Sequence, residues 1–317
     1  MNIALYTLTS PLHDEKAVNA VSKEFLEDIE RTLEMDFDFR GNDFSCYGDS
    51  DLDIIFVRTG GTEGLFKEIF PKLEGKILLL TSGKSNSLAA SLEIMSYLNQ
   101  QGRCGEILHG STDYIAERIS ILANVSAARK SLDGTNLGII GQPSDWLISS
   151  NADKSAVKER LGINLLDIPI QELIEEIEAA DISAFPEELH AIKAELEGNA
   201  SDAVRKHAEG AMKIYVALKH IVERHKLSGL TLRCFDLLDT VGNTGCLALA
   251  LLNAEGIPAG CEGDVPALLT MATGNALTGR CGFQSNPSRI DPQTGELLLA
   301  HCTIPFNMIL NHSFNTH

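Results

Sequence analysis

Two acids, Glu262 and Asp264, close the run Gly256-Ile257-Pro258-Ala259-Gly260-Cys261-Glu262-Gly263-Asp264-Val265-Pro266. The run reads as a short strand, a tight turn and the start of a helix. Acids at the carboxyl end of a strand in an open α/β sheet sit where such folds place their ligands. His301 follows 39 residues after Glu262, in Ala300-His301-Cys302-Thr303-Ile304-Pro305. A carboxylate and an imidazole are both ligands that a divalent cation accepts, and a carboxylate is also a general base. The two acids differ in duty. Asp264 stands where a helix N-cap belongs, with Pro266 in the first turn. Spaced i, i+2 across a turn, the pair cannot easily share one metal. Glu262 has no comparable structural task, so it is the functional candidate. His301 lies in an apolar run, which leaves a satisfied core histidine open beside a ligand. Cys302 reads as packing, since no base is evident near it.

Two other loops hold polar groups. Thr81-Ser82-Gly83-Lys84-Ser85 has the look of a phosphate loop, but the glycine required five residues before Gly83 is Leu78. It is expected to be a loop after a parallel strand, able to line a pocket through Ser82 and Asn86. Arg58-Thr59-Gly60-Gly61-Thr62-Glu63-Gly64 is either a plain turn or a loop that binds hydroxyls or anions, with Arg58 as the substrate contact.

The elements that must position these residues alternate. Ile3 to Leu8, Asp53 to Val57 and Lys76 to Leu80 are apolar strands, with helical spacing over Ala17 to Leu33 and Leu88 to Gln101. A second series opens at Asn136 to Gly141 and continues with a helix over Asp153 to Leu161, a strand over Ile163 to Ile168 and a helix over Gln171 to Ala179. A long helix over Ser201 to His225, a strand over Leu230 to Phe235, a helix over Cys246 to Ala254, the strand Ile257 to Cys261 and a helix ending near Gly279 follow. Apolar strands separated by helices imply parallel sheets. The expected fold is α/β: two successive Rossmann-like doubly wound domains, residues 1–130 and 131–279, then the beginning of a β-rich third unit over 280–317. In that last part Phe283 to Asp291 reads as a loop, Glu296 to Ile304 as a strand, and the chain stops at Phe314-Asn315-Thr316-His317 without a polar tail.

Bulk properties narrow the partners. The 317 residues carry a formal net charge of −18, and Lys and Arg are scattered. Neither nucleic acid nor an anionic membrane surface is expected to bind, since both need basic patches. There is no basic leader and no apolar run near the roughly 20 residues needed to cross a bilayer. Seven cysteines without a Cys-x-x-Cys pair read as reduced, buried thiols in a cytoplasmic protein. No Gly-x-Gly-x-x-Gly follows either opening strand, which argues against a dinucleotide enzyme.

The stretch Leu251 to Asp264 with its following helix, and the later Ala300-His301-Cys302-Thr303-Ile304-Pro305, resemble the L-fucose/L-arabinose isomerase superfamily, in particular its fucose isomerase-like members. The resemblance covers the whole chain in architecture and specific residues from about residue 230 onward. It implies an aldose–ketose isomerase that uses Mn²⁺ or a similar cation, acts on a monosaccharide and forms a homo-oligomer, trimer or hexamer. By resemblance Glu262 is the acid that ligates the metal and shuttles a proton between C1 and C2, and His301 is a ligand histidine. A hard cation chelating both substrate oxygens would stabilise the enediolate between the two carbons. Two departures follow. The family's second acid falls near Phe283-Gln284-Ser285-Asn286, where no acid stands, so Asn286 or Asp291 would have to substitute. The family's closing β domain, with a further ligand histidine, has no counterpart. These departures make a non-catalytic sugar-binding or regulatory protein on the same fold the alternative.

Overall fold

The computed structural model describes residues 2–181, 194 and 202–308. Ser201 at the expected start of the long helix, and the end of the chain from 309, including Phe314 to His317, lie outside the described residues. The chain divides into two compact units, Met1–Ala127 and Ala128–His317.

In the first unit β1 (Ile3–Leu8), β2 (Asp38–Gly41), β3 (Leu52–Val57), β4 (Ile77–Leu80) and β5 (Gly105–Leu108) form one sheet in the order β2-β1-β3-β4-β5. Every pairing is parallel, with Leu5 beside Ile54 and Ile54 beside Leu78. The continuous apolar strands are explained by the two faces they serve. Tyr6, Ile55, Val57, Ile77 and Leu79 pack against Phe66 of α2 (Glu63–Ile69) and Ile94 and Leu98 of α3 (Ser87–Gln100). The alternate residues Leu5, Ile54, Phe56, Leu78 and Leu80 pack against Ile29 of α1 (Glu15–Leu33) and Ile115 and Ile119 of α4 (Thr112–Leu132). Both faces are therefore buried, which is what a doubly wound sheet demands.

The second unit repeats the plan with four parallel strands, β6 (Asn136–Ile140), β7 (Asn164–Ile168), β8 (Leu227–Leu232) and β9 (Ala259–Cys261), in the order β7-β6-β8-β9. One face carries α6 (Ile170–Ala179), α7 (Asp202–His225) and α9 (Cys246–Ala254), through Leu173, Leu218, Ile221 and Leu252 against Ile140, Leu230 and Leu232. The other carries α5 (Lys154–Leu161) and α10 (Val265–Thr278), through Leu161 and Leu268 against Leu137. The short helix α8 (Asp236–Val241) follows β8. Strand β9 has three residues, and the buried Asn253 amide holds its start: Nδ2 donates to Ala259 O and Oδ1 accepts from Ala259 N, both at 2.8 Å.

After α10 the chain forms an antiparallel hairpin, β10 (Asn286–Ile290) with β11 (Leu297–Ala300), and Asn286 stands opposite Ala300. The expected loop over Phe283 to Asp291 is thus partly a strand. Its polar sequence, with Pro287, hid a two-stranded ladder that is open to solvent on every residue. The expected strand over Glu296 to Ile304 stops at Ala300 because its partner ends at Asn286, and His301 and Cys302 lie in the turn beyond. Leu297, Leu298 and Leu299 are exposed rather than buried, because among the described residues these strands pair with each other alone. Among the described residues no helix is long and apolar enough to cross a membrane.

Candidate functional site

At the end of β9 the chain reverses through two consecutive residues in the left-handed region, Glu262 (φ 65°) and Gly263 (φ 68°). Gly263 is required there. A Cβ at that position would lie 2.6 Å from Gln142 O and 2.9 Å from Pro143 Cα, so the loop after β6 leans directly on the turn. Glu262 is a different matter, since a non-glycine residue with positive φ costs on the order of 1 kcal/mol or more and persists only where its surroundings hold it. They do so here. Ser144 N donates to Glu262 O at 2.9 Å, Gly263 N donates to Leu232 O at 3.2 Å, and Asp264 N donates to Cys261 O at 3.1 Å. Asp264 Oδ1 accepts from Ala267 N at 2.9 Å and caps α10. The Glu262 side chain, half-buried, accepts a hydrogen bond at Oε2 from Trp146 Nε1 at 3.0 Å.

Trp146 is the chain's one tryptophan. It is 55% exposed and meets Phe235, 44% exposed, edge to face at 5.6 Å. The loops after β6 and β8 therefore present an aromatic surface beside the carboxylate, and such rings bury apolar area while offering a polar edge. The same two loops frame a cleft of about 870 Å³ lined by Gln142, Asn151, Lys154, Asp167, Arg233 and Val265 among others. Strand order reverses between β6 and β8, the place where doubly wound sheets open a crevice. Glu262 itself does not line this cleft. Arg233 is fixed at its border: Nη2 donates to Asp145 Oδ2 at 3.1 Å, Nε to Asp236 Oδ1 at 2.9 Å and Nη1 to Pro143 O at 2.9 Å. Asp145 and Asp236 hold the guanidinium in its charged form.

The remaining candidates fall in three places. His301, half-buried, lies just past β11, with Nδ1 3.1 Å from Thr303 Oγ1 and 3.6 Å from Cys302 Sγ. An imidazole therefore does stand beside Cys302, the neighbour that sequence reading did not find. Among the described residues, the Cys, His, Asp and Glu donors that gather in threes within 4.8 Å of one another are Cys261, His301 and Cys302. Glu262 is not in that group. Asn286 is exposed on β10. Asp291 closes the hairpin turn, accepting at Oδ1 from Gln293 N at 2.8 Å and Thr294 N at 3.3 Å. Gln284, close to where an acid was sought, instead extends the β9 edge, its Oε1 accepting from Cys261 N at 2.7 Å.

Arg58, Ser82 and Asn86 belong to the first unit. Arg58 is 8% exposed. Its Nε donates to Ser22 Oγ at 3.2 Å and Nη2 donates to Asn19 Oδ1, and burial pushes its pKa down. Ser82 Oγ accepts from Lys84 N at 3.4 Å, and Asn86 stands in the left-handed region (φ 59°) at the start of α3. The loops after β3 and β4 are tied together by Gly60 N donating to Ser85 O at 2.7 Å.

No protein-family model matches the chain. The chain is similar to sulfoquinovose isomerases. It is 26% identical over 242 residues to that of Alkalicoccus urumqiensis, covering 73% of this chain and 52% of the relative. It is 24% identical over 238 residues to that of Priestia aryabhattai, covering 73% and 51%. A shorter match, 31% over 98 residues, is to that of Clostridium sp. strain MSTE9, covering 31% and 22%. The chain spans about half the length of the curated relatives it matches.

Proposed function

We propose that the chain belongs to an aldose–ketose isomerase acting on a monosaccharide, with Glu262 as the base that moves the proton between C1 and C2. The observation that carries this is the Glu262 turn: a carboxylate held at the carboxyl edge of the sheet in a strained backbone conformation, one oxygen fixed by Trp146. In the forward direction the carboxylate takes the proton from C2 of the open-chain aldose. The C–H electron pair forms the C1=C2 bond and the carbonyl electrons move onto O1. The protonated Glu262 then returns the proton to C1 while the O2 hydroxyl proton passes to O1 and the C2–O2 carbonyl forms, giving the ketose. Positioned acid–base groups of this kind contribute about 10²–10⁴ in rate. The Trp146–Phe235 pair offers a face for the apolar side of a sugar ring.

The relatives' name suggests sulfoquinovose, a sulfonated sugar, as the substrate. Arg58 supports an anionic substituent, because it is a largely buried cation whose hydrogen-bond partners here, Ser22 and Asn19, are uncharged. Ser82 and Asn86 are proposed contacts to hydroxyls. The hairpin is read as the opening of a β-rich third domain over 280–317, after domains 1–130 and 131–279. A cytoplasmic homo-oligomer, trimer or hexamer, completes the reading.

Mn²⁺ fits the residues present poorly. A hard cation prefers oxygen, whereas the donors that come together with His301 are sulfurs, and Asp291 is engaged in its turn. The test is a panel of aldoses, sulfoquinovose included, assayed in deuterated water with and without Mn²⁺, against Glu262→Gln. The expected outcome is turnover with deuterium entering at the reacting carbon, lost in the variant. Equal turnover by both proteins would remove Glu262 from the chemistry. Sugar binding with no exchange by the wild type would favour the non-catalytic alternative.

A further inference from the structure

Four of the seven cysteines meet at the carboxyl end of the second sheet. Cys261 ends β9, Cys234 lies two residues past β8, Cys246 begins α9, and Cys302 follows β11. Cys234 Sγ and Cys261 Sγ are 3.0 Å apart. Cys261 Sγ, Cys302 Sγ and a ring nitrogen of His301 lie within 4.8 Å of one another. His301 Nδ1 stands 3.6 Å from Cys302 Sγ.

We infer that Cys261, Cys302 and His301 bind a thiophilic divalent cation of the Zn²⁺ class, with a water molecule as the fourth ligand. This site is separate from the isomerase reading and does not depend on it. Metal–sulfur bonds of about 2.3 Å and metal–nitrogen bonds of about 2.0–2.1 Å in a tetrahedron place neighbouring donors about 3.5–3.8 Å apart. The 3.6 Å between His301 Nδ1 and Cys302 Sγ meets that spacing, and the three donors span no more than 4.8 Å. Thiolate and imidazole together favour Zn²⁺ over Mn²⁺ or Mg²⁺. Binding at Nδ1 displaces the 3.1 Å contact between that nitrogen and Thr303 Oγ1. The ordinary explanation of a buried cysteine is that it packs as a small apolar group. That explains Cys281, which stands apart, but not two sulfurs from distant segments meeting at one histidine. Binding is balanced as M²⁺ displacing one proton from each ligating thiol into solvent, so a site with two thiolates and neutral ligands carries no net charge.

The experiment is metal analysis of the purified full chain followed by Co²⁺ titration of the metal-free protein, with Cys302→Ser, His301→Ala and, as a control, Cys104→Ser, an exposed cysteine of the first unit. The expected result is a single retained equivalent of Zn²⁺ and a thiolate-to-cobalt charge-transfer band with tetrahedral ligand-field absorption. Affinity should fall by more than about tenfold in Cys302→Ser and His301→Ala and stay unchanged in Cys104→Ser. Because Cys302 is exposed, that variant is expected to fold, and the wild-type cobalt spectrum stands without any variant. Glu262→Gln is expected to lose isomerase turnover yet keep the cobalt spectrum, so the two readings fail separately. The inference is overturned by a wild type without the charge-transfer band, by equal affinity in Cys302→Ser, by loss of the band in Glu262→Gln, or by peptide mapping that finds Cys234 and Cys261 joined as a disulfide.

Discussion

The two units share one plan and spend their strand-end loops differently. In the first unit the loops after β3 and β4 close on themselves: Gly60 bonds Ser85, Thr81 bonds Ser87 at 2.6 Å, and Arg58 is held by Ser22 and Asn19. In the second, the strand-end loops carry a strained carboxylate, an exposed aromatic pair and an arginine between two aspartates, and Cys261 at the end of β9 meets His301 and Cys302. Nothing in the sheets accounts for this contrast, since both are parallel and buried on both faces. Fold supplies the edge, and loop residues supply the chemistry.

The comparison can be broken in several ways. The largest effect is expected from Glu262→Gln, which should lower turnover by about a hundredfold or more with little change in KM, measured by steady-state kinetics. An equal loss from Ser82→Ala would place the chemistry in the first unit instead. Next, Phe66→Ala removes a fully buried ring that meets Phe70 and Tyr97 in the first unit, at a cost of about 3–5 kcal/mol. Urea unfolding followed by Trp146 fluorescence reports the second unit, and its midpoint should hold while the circular dichroism transition splits. A joint shift would mean that the units unfold together. Third, Gly263→Ala forces a Cβ against the Gln142 carbonyl and should destabilise the second unit by about 1–3 kcal/mol, with a change in Trp146 emission as the loop after β6 moves.

The smallest effect concerns acid. The Arg118 guanidinium, aided by Lys76, holds the Glu106 carboxyl down at about 2 against an ordinary value of 4.5. A carboxyl with a depressed folded-state pKa contributes stability that is present above its unfolded value and lost as pH falls through its folded value. Stability of the first unit should therefore decline from about pH 4.5 toward 2, and Glu106→Gln should flatten that part of the profile. The pair is partly exposed, so solvent screening keeps the effect small. An unchanged acid profile in the variant would remove the pair from the account.

Much of the fold was legible because buried parallel strands must be apolar throughout. Ile3 to Leu8 and Asn136 to Ile140 declare themselves, as does the Asp264 cap before Pro266. The hairpin was not legible: Asn286 to Ile290 is polar and contains a proline, and its strand state comes from pairing with β11. The apolar Leu297 to Leu299 read as buried for the same reason that buried strands read correctly, and only the structure showed that they are exposed, with no second layer over them among the described residues. At the candidate site, Glu262 was read as following a strand, and it does stand directly after β9. Trp146 was missed because 116 residues separate it from the carboxylate it touches.

The sequence by itself determined the alternation of strands and helices, the parallel sheets and the acid at the end of β9, because local periodicity and capping are written in neighbouring residues. Tertiary structure alone decided which donors meet. Cys261, His301 and Cys302 follow no ligand spacing along the chain, and they meet because the end of β9 and the turn after β11 come together. Spacing in sequence cannot encode proximity across strands whose crossovers differ in length, so Glu262 was visible as a residue and the cluster of Cys261, His301 and Cys302 beside it was not.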